Sequence, residues 1–396
     1  MGLVGCATYS SRISAPRSQF ERGDFDGAIT TLKQLVDDND NDQLLYLMDL
    51  GMVYHTAGRY EEAIKVFLRA EKLAEIKDYT SLSQEAMSVL LSDEVKPYKG
   101  ELFENLLINV YLAIDYTMLG NWDDALVECR RVNHKIDRMI KEANLPYGHN
   151  AFAKYLAAVL FEARREYNDA LVDYRMVGKW SGDFPYLGDP LLRLADRLKM
   201  SQEFEEFQKK FGSSKTFRMG KNEGEIVLLV EQGRSPVKVP SEQFALMPRF
   251  QRRDSSSDYV SLRTGAKKAR TFPLYDIEQV AILELESRIA LIAAKKVGGL
   301  VAKELVSRAI ENETKSPLLG ALLRVALFSQ DKADLRSWTT LPARLQLARV
   351  VVPAGRHNVA LDMVMRSGYE AVGVKLWENI EVKPGQKVFL NYRTPE

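Results

Sequence analysis

The chain has 396 residues, 46% of them hydrophobic, a length that suits two or three domains with large cores and excludes a small stapled scaffold. Its 55 basic and 54 acidic side chains leave a formal charge of +1, so no global field draws it to nucleic acid or anionic surfaces. No run reaches the roughly 18 uncharged apolar residues that span a bilayer; the nearest, Leu318 to Phe328, is interrupted by Arg324.

The chain opens Leu3, Val4, Gly5, Cys6, Ala7, which reads as a bacterial lipobox, with small and aliphatic residues leading into one cysteine. That spacing marks Cys6 for lipidation, each buried CH₂ of an acyl chain contributing about 0.8 kcal/mol to membrane anchoring. Met1 and Gly2 are too short to supply the charged n-region and about 7–15 apolar residues of a signal peptide, so a start upstream is expected. N-myristoylation at Gly2 fits less well, because its consensus wants Ser or Thr where Cys6 stands. With Cys6 acylated, Cys129 has no partner and no internal disulfide is expected. Residues 1–15 are read as lipobox and tether.

From Tyr46 to Glu75 the sequence sets Leu50, Gly51, Tyr54, Gly58, Tyr60, Ala63, Phe67 and Ala70 at the spacing of a tetratricopeptide repeat (TPR). Gly51 and Ala63 are small where two antiparallel helices cross, the aromatics fill the space between helices, and Gly58 permits the turn. Leu112, Ala113, Tyr116, Gly120, Trp122 and Ala125 form another copy. Ala158, Phe161, Tyr167, Ala170 and Tyr174 form a third, with Arg165 at the turn-glycine position. A partial copy, Gly23, Phe25, Ala28, Leu32 and Leu35, precedes them. The first two marker alanines, Ala28 and Ala63, are close to the ideal repeat of about 34 residues apart. The later intervals imply insertions, chiefly 72–105, with a short amphipathic helix around Leu82, Ala86, Val89 and Leu90. Pro190 to Phe211 reads as a capping helix pair. The solenoid is assigned to 16–212.

Beyond Gly212 the period falls towards two, and 213–396 reads as an antiparallel β-rich α+β domain. Strands are expected at Glu225–Glu231, Tyr259–Leu262, Ala343–Val352, His357–Met365 and Val388–Tyr392, with Tyr369–Trp377 as a further candidate. Turns at Pro353, Gly355, Gly368 and 383–386 separate them. An inserted helical stretch runs from about Ile277 to Asn312, opened by Asp276 as N-cap with Gln279 three residues on. Ile282, Leu285, Ile289, Ile292, Leu300 and Val301 could form one apolar stripe, although Gly298 and Gly299 break its regularity. A second helix begins at Ser316 and Pro317. The expected fold class is therefore a multidomain α+β chain, with an N-terminal all-α TPR solenoid and a C-terminal β-rich domain carrying a helical insert.

Pro97, Tyr98, Lys99, Gly100, Glu101, Phe103 and Glu104, then Glu128, Cys129, Arg130 and Arg131, then Ala333 to Trp338 with Leu341 and Pro342, carry a narrower likeness. Together with the lipobox they resemble a family of uncharacterised bacterial TPR-containing outer-membrane lipoproteins. The resemblance covers nearly the whole chain and picks out Tyr98, Gly100, Glu101, Phe103, Glu104, Arg130, Arg336 and Trp338. It implies the periplasmic face of the outer membrane and no known activity.

Catalytic signatures are absent. The four histidines, His55, His134, His149 and His357, include no i, i+4 pair, and no G-x-S-x-G, P-loop or G-x-G-x-x-G occurs. No cofactor or metal is expected. Asp38, Asp40 and Asp42 echo a calcium loop, but Gln43 replaces its glycine and Asp49 its bidentate Glu. The basic stretch Arg249 to Arg270 is read as a solvated loop in preference to a lipid- or glycan-binding segment. The concave face of a TPR stack is lined by the first helix of each pair. This places Met48, Met52, His55 and Thr56, then Val110, Ile114, Thr117 and Met118, then Tyr155, Val159 and Glu162 in the groove. That apolar lining suits a hydrophobic helix or extended segment of an envelope partner, or else the chain's own insert or C-terminal domain. The reading is a non-catalytic scaffold. A membrane-associated oligomer subunit is the alternative, and an enzyme using Glu101, Glu104 and Arg130 a third.

Overall fold

The computed structural model describes residues 9–84, 97–143, 149–212, 219–242, 247–288 and 333–395. Helices α1 (Tyr9–Glu21), α2 (Phe25–Asp37), α3 (Gln43–Thr56), α4 (Tyr60–Gln84), α5 (Leu102–Met118), α6 (Trp122–Ala143), α7 (Ala151–Ala163), α8 (Tyr167–Trp180), α9 (Gly188–Arg197) and α10 (Ser201–Phe211) succeed one another as antiparallel pairs. This is the expected solenoid, with α9 and α10 as its terminal pair. Helix α1 begins at Tyr9, so residues 9–15 are helix where a tether was expected. The reason is an i, i+4 apolar pair: Tyr9 and Ile13 are both buried, and the Tyr9 ring stacks on Tyr46 at 5.9 Å. Helix α4 runs on through Leu82 into the expected insertion, whereas Ala86, Val89 and Leu90 lie outside the described residues.

Two positions show why the repeat punctuation matters. A methyl group built on Gly51 of α3 would sit 2.5 Å from the Phe67 ring of α4, so only glycine permits the two helices to cross this closely. At the turns after α3, α5 and α7 the backbone is left-handed, φ being 74° at Gly58 and 79° at Gly120, yet Arg165 adopts 65°, a conformation that costs a non-glycine residue about 1–2 kcal/mol.

The second half is built of β1 (Glu223–Gln232), β2 (Val237–Pro240), β3 (Pro248–Gln251), β4 (Ser257–Thr264), β5 (Lys267–Arg270), β6 (Phe272–Asp276), α11 (277–288), β7 (Arg344–Pro353), β8 (Gly355–Met365), β9 (Glu370–Val382) and β10 (Lys387–Arg393). Each expected strand has its counterpart, including the candidate at 369–377, of which residues 370–377 belong to β9. The short strands β2, β3, β5 and β6 were not anticipated. Asp276 caps α11 as expected, its Oδ1 accepting the Gln279 N–H at 2.9 Å. The remainder of the expected helical stretch, including Gly298, Gly299, the second helix at Ser316 and the apolar run 318–328, lies outside the described residues.

The strands form a first sheet in the order β10-β1-β7-β6, a second in the order β5-β4-β8-β9, and the small ribbon β2-β3. Pairing is antiparallel except between β1 and β10, which run parallel, because the short 383–386 turn carries the chain out of the second sheet and back along the edge of the first. The first sheet is the middle layer of the molecule. Ile226, Leu228 and Val230 of β1, with Ala348, Val350 and Val352 of β7 and Leu390 of β10, pack on Val260, Leu262, Val359 and Leu361 of the second sheet. Their alternates, Val227, Leu229, Leu345, Leu347 and Phe389, belong to the solenoid core instead. Strand β1 is thereby buried on both faces.

Gly51→Ala should destabilise the fold by about 1–3 kcal/mol through overpacking, and Arg165→Gly should stabilise it by about 0.5–1 kcal/mol, relieved strain outweighing the greater freedom of unfolded glycine. Urea unfolding of both variants reads the two opposite signs. Equal or inverted shifts would remove the steric account.

Candidate functional site

The groove of the solenoid is occupied by the chain's own first sheet. Helices α3, α5 and α7 bury almost all their residues, one side against α4, α6 and α8, the other against β1, β7 and β10. Of the expected groove residues, Met48, Met52, His55, Val110, Ile114, Thr117, Tyr155, Val159 and Glu162 are buried, and Thr56 and Met118 are partly so. Between the two alternatives for the occupant, partner or self, the described residues place the C-terminal domain there.

Two charged nodes join the layers. In the first, the fully buried His55 ring lies between Asp115 of α5, hydrogen-bonded to Nδ1, and Glu231 of β1, 2.7 Å from Nε2. Glu231 also accepts from Tyr111 Oη at 3.2 Å, Asn391 Nδ2 at 3.1 Å and Arg393 Nη1 at 3.3 Å. Burial alone would lower the imidazole pKa, but the carboxylates of Glu231 and Asp115 raise it to about 10, which favours the imidazolium form with one N–H for each carboxylate. Burial raises Asp115 to about 6 despite His55. For Glu231, His55 and Arg393 overcome burial and hold the carboxyl at about 2.

In the second node, Arg349 of β7 donates to Glu225 Oε1 and Oε2 at 2.6 Å each, to Tyr155 Oη and Tyr174 Oη at 2.8 Å, and to Glu162 at 3.3 Å. Lys387 of β10 pairs with Glu225, its register partner on β1, and reaches Glu162 at 3.1 Å. Arg193 of α9 donates to the same Glu162 at 2.8 Å and 2.5 Å. Three cations thus meet two carboxylates with every residue buried or nearly so, and the Lys387 and Arg193 charges with Arg349 hold Glu162 well below the usual carboxylate range against its burial.

The residues picked out by family resemblance form a third joint. Tyr98 Oη donates to Glu104 Oε2 at 2.6 Å, and the Trp338 N–H to Glu104 Oε1 at 2.7 Å. Glu101 pairs with Lys238 of β2 and with Arg288 of α11 at 2.6 Å. Glu284 of α11 accepts the Leu102 and Phe103 N–H groups at 2.9 Å each, capping α5. Arg336 lies over the Tyr98 ring and bonds Asp42 at 2.8 Å, Gly100 holds the left-handed turn before α5, and Phe103 packs edge-on against Phe250. Buried Trp338 carries on through Nε1–H to Thr340, whose hydroxyl donates to Asp49 at 2.7 Å. Arg130 is not part of this cluster; it is exposed on α6, so the imagined catalytic trio of Glu101, Glu104 and Arg130 does not assemble. Burial and the neighbouring Glu101 raise Glu104 to about 7, but each of its oxygens already accepts a bond.

Other expectations find their place. Cys6 lies outside the described residues. Asp38 and Asp40 pair with Arg12 at 3.4 and 2.7 Å, and Asp42 with Arg336. Cys129 is buried and free, its thiol pushed up to about 12 by burial. The stretch 249–270, expected as a solvated loop, contains β4 and β5 and is largely ion-paired: Arg249 with Glu242, Arg252 with Glu278, Arg263 with Asp362. Among the described residues no helix is long and apolar enough to cross a membrane. The residues that join the layers, Asp115, Glu225, Glu231, Arg349, Lys387 and Arg393, were not singled out from sequence. The available signal was parity: Glu225 and Glu231 share the face of Val227 and Leu229 in a strand that is otherwise apolar.

A tetratricopeptide-repeat family model matches residues 17–75, which cover α2, α3 and most of α4. No curated protein matches the chain. Among solved structures it is similar to a crystal structure of MamA protein, at 16% identity over 50% of this chain and 87% of that one, with a TM-score of 0.35. It is likewise similar to a tetratricopeptide repeat protein from Parabacteroides merdae, at 16% identity over 51% and 65%, TM-score 0.35. A third likeness is to a putative kinesin light chain with TPR-like repeats from Podosopora anserina, at 15% identity over 51% and 92%, TM-score 0.34. Likenesses of this degree say nothing about what the chain binds. The family match and the helix pairs together make this a TPR-containing protein.

The node around His55 has a pH signature. The folded imidazolium pKa is raised, so its contribution is fully present below the unfolded value of about 6.5 and is lost as pH rises through about 10. The stability difference between wild type and His55→Gln should therefore be largest below about pH 6.5 and shrink towards pH 10. Glu231 has a lowered folded pKa, so the wild-type advantage over Glu231→Gln should be complete above about pH 4.5 and fall as pH drops towards 2. Denaturant midpoints against pH check both; a flat difference would mean that the pair is not ionised.

Proposed function

We propose that this chain is a non-catalytic, lipid-anchored adaptor of the bacterial cell envelope, whose solenoid cradles its own β domain and whose partner proteins dock outside that joint. One observation carries the second half of the reading: the charged groups of the groove, His55 and Glu162, are paired with β1, β7 and β10. A partner segment entering the groove would strand several buried charges, and removing one partner of a buried pair costs about 3–5 kcal/mol. Met52, Ile114 and Val159 serve as the seat of the chain's own sheet. A partner-binding role passes to the convex helices and to the second sheet, where Val172, Tyr369, Val372 and Leu376 are exposed.

The lipid anchor rests on the Leu3–Ala7 motif. It favours the outer membrane and its periplasmic face, with envelope proteins as partners. The ion-paired Glu101 and the doubly bonded Glu104 support a structural role for the only carboxylate pair that suggested chemistry.

The test is the intact mass of the protein expressed in a bacterium from a start codon upstream of Met1, beside a Cys6→Ala control. A mature species beginning at Cys6 and carrying acyl chains, absent in the control, is expected. An unprocessed chain without lipid would place the protein in the cytoplasm and remove the envelope role.

A further inference from the structure

Where α1 meets the loops of the β domain, four arginines converge on too little negative charge. Arg17 lies one turn before Glu21 on the same face of α1. Arg234 comes from the β1–β2 loop, Arg253 from the β3–β4 loop and Arg393 from the end of β10. Glu21 is the shared counter-ion, and its contacts are long: 3.9 Å to Arg234 and 3.7 Å to Arg253. Arg393 is committed to Glu231 and stands over the Phe20 ring at 5.5 Å. Arg253 is held in place by the carbonyls of Ser235 at 2.6 Å and Thr339 at 2.5 Å. Arg17 and Arg234 are different, for the Nε–H of each is buried without any hydrogen-bond partner. Orphaned buried donors of this kind cost about 1–3 kcal/mol each, and neither guanidinium has a carboxylate within hydrogen-bond distance among the described residues, Arg234 reaching Glu21 at 3.9 Å and Arg17 lying in the field of Asp49. Burial first, and then the like charges of Arg234, Arg17 and Arg393 against Glu21, bring Arg253 down to about 10.

We infer that Arg17, Arg234 and Arg253 form a binding site for a phosphate group. Planar guanidinium forks match phosphoryl oxygens through paired N–H bonds, and a bound dianion would satisfy the orphaned donors and offset the repulsion among the arginines. The three side chains come from the solenoid and from two loops of the β domain, so the ligand would add a further clamp between the halves. The site is independent of whether Cys6 carries lipid. A phospholipid headgroup and a soluble phosphorylated molecule both present this chemistry.

The full chain with Cys6→Ser, which keeps any acyl chain out of the measurement, is titrated with inorganic phosphate against chloride at equal ionic strength, following heat of binding and melting temperature. It is also sedimented with phosphatidylglycerol-containing and with pure phosphatidylcholine vesicles. Saturable phosphate binding is expected, weakened about tenfold or more in Arg17→Gln/Arg234→Gln, as loss of charge-assisted bonds predicts, and unchanged in Arg366→Gln, an exposed arginine elsewhere. Both variants are checked for native circular dichroism. Capture by phosphatidylglycerol vesicles alone, lost in the double variant, assigns the phosphate to lipid; phosphate binding without capture assigns it to a soluble ligand. No saturable effect beyond chloride, or binding and capture that the folded double variant retains, overturns the site.

Discussion

Strand β1 is apolar on both faces, but its solenoid-facing row begins and ends in a carboxylate, and the rest of the structure depends on how those two groups are neutralised. A glutamate cannot be buried as an ion without close cations. Glu225 finds Arg349 and Lys387 on the neighbouring strands, and Glu231 finds His55 and Arg393. Both cations of Glu225, and Arg393 of the Glu231 set, lie on strands beside β1 in the same sheet. Completing the sets draws in Glu162 and Arg193 from α7 and α9, and His55 and Asp115 from α3 and α5. Two ends of one strand thereby fix the sheet in the solenoid, as apolar contacts alone would not. Apolar packing tolerates small adjustments that a buried ion pair, with its fixed distances, does not.

The consequence is a TPR groove turned inward. The first helices of the pairs present an apolar surface rich in methionine and aromatic side chains, the kind that elsewhere would hold a segment of another protein. Here Val227, Leu229, Leu347 and Phe389 fill it. The solenoid and β domain share one continuous core, so the two halves unfold or persist together more readily than two domains joined by a linker. In the proposed role, binding surfaces for other molecules belong to the outside of the joined body, to the edge strand β9 and to the loops that meet α1.

A similar logic explains why the residues of the family resemblance lie far apart in sequence. Tyr98, Glu101 and Glu104 stand at the entrance to α5, Arg336 and Trp338 at the entrance to β7, yet the Tyr98–Glu104 and Trp338–Glu104 hydrogen bonds and the Arg336 contact with the Tyr98 ring connect them. The chain passes between solenoid and β domain more than once, and each crossing needs its polar backbone satisfied in a water-poor setting. Glu104 accepting the Trp338 N–H and Glu284 capping α5 do this. In this chain these residues serve the joint between the solenoid and the β domain.

Local pattern was legible from sequence alone. The glycines and aromatics of the repeats located the helix pairs, because helix crossing distance is set by side-chain size at particular positions such as Gly51. Alternation located the long strands, because both strand faces are sampled residue by residue, and the Asp276 cap was visible for the same local reason. Short strands such as β2 and β5 were missed, since four residues carry too little period. The tether was misread at Tyr9 and Ile13, whose burial depends on α2 and α3. What only the tertiary structure decided was which surface covers which: that the groove receives the chain's own sheet, that Glu225 and Glu231 face cations from three different elements, and that Arg234 and Arg253 share Glu21. Long-range pairing of charges leaves no mark in local periodicity, since its partners are 100 to 300 residues apart and are brought together only when apolar burial has already chosen the layers.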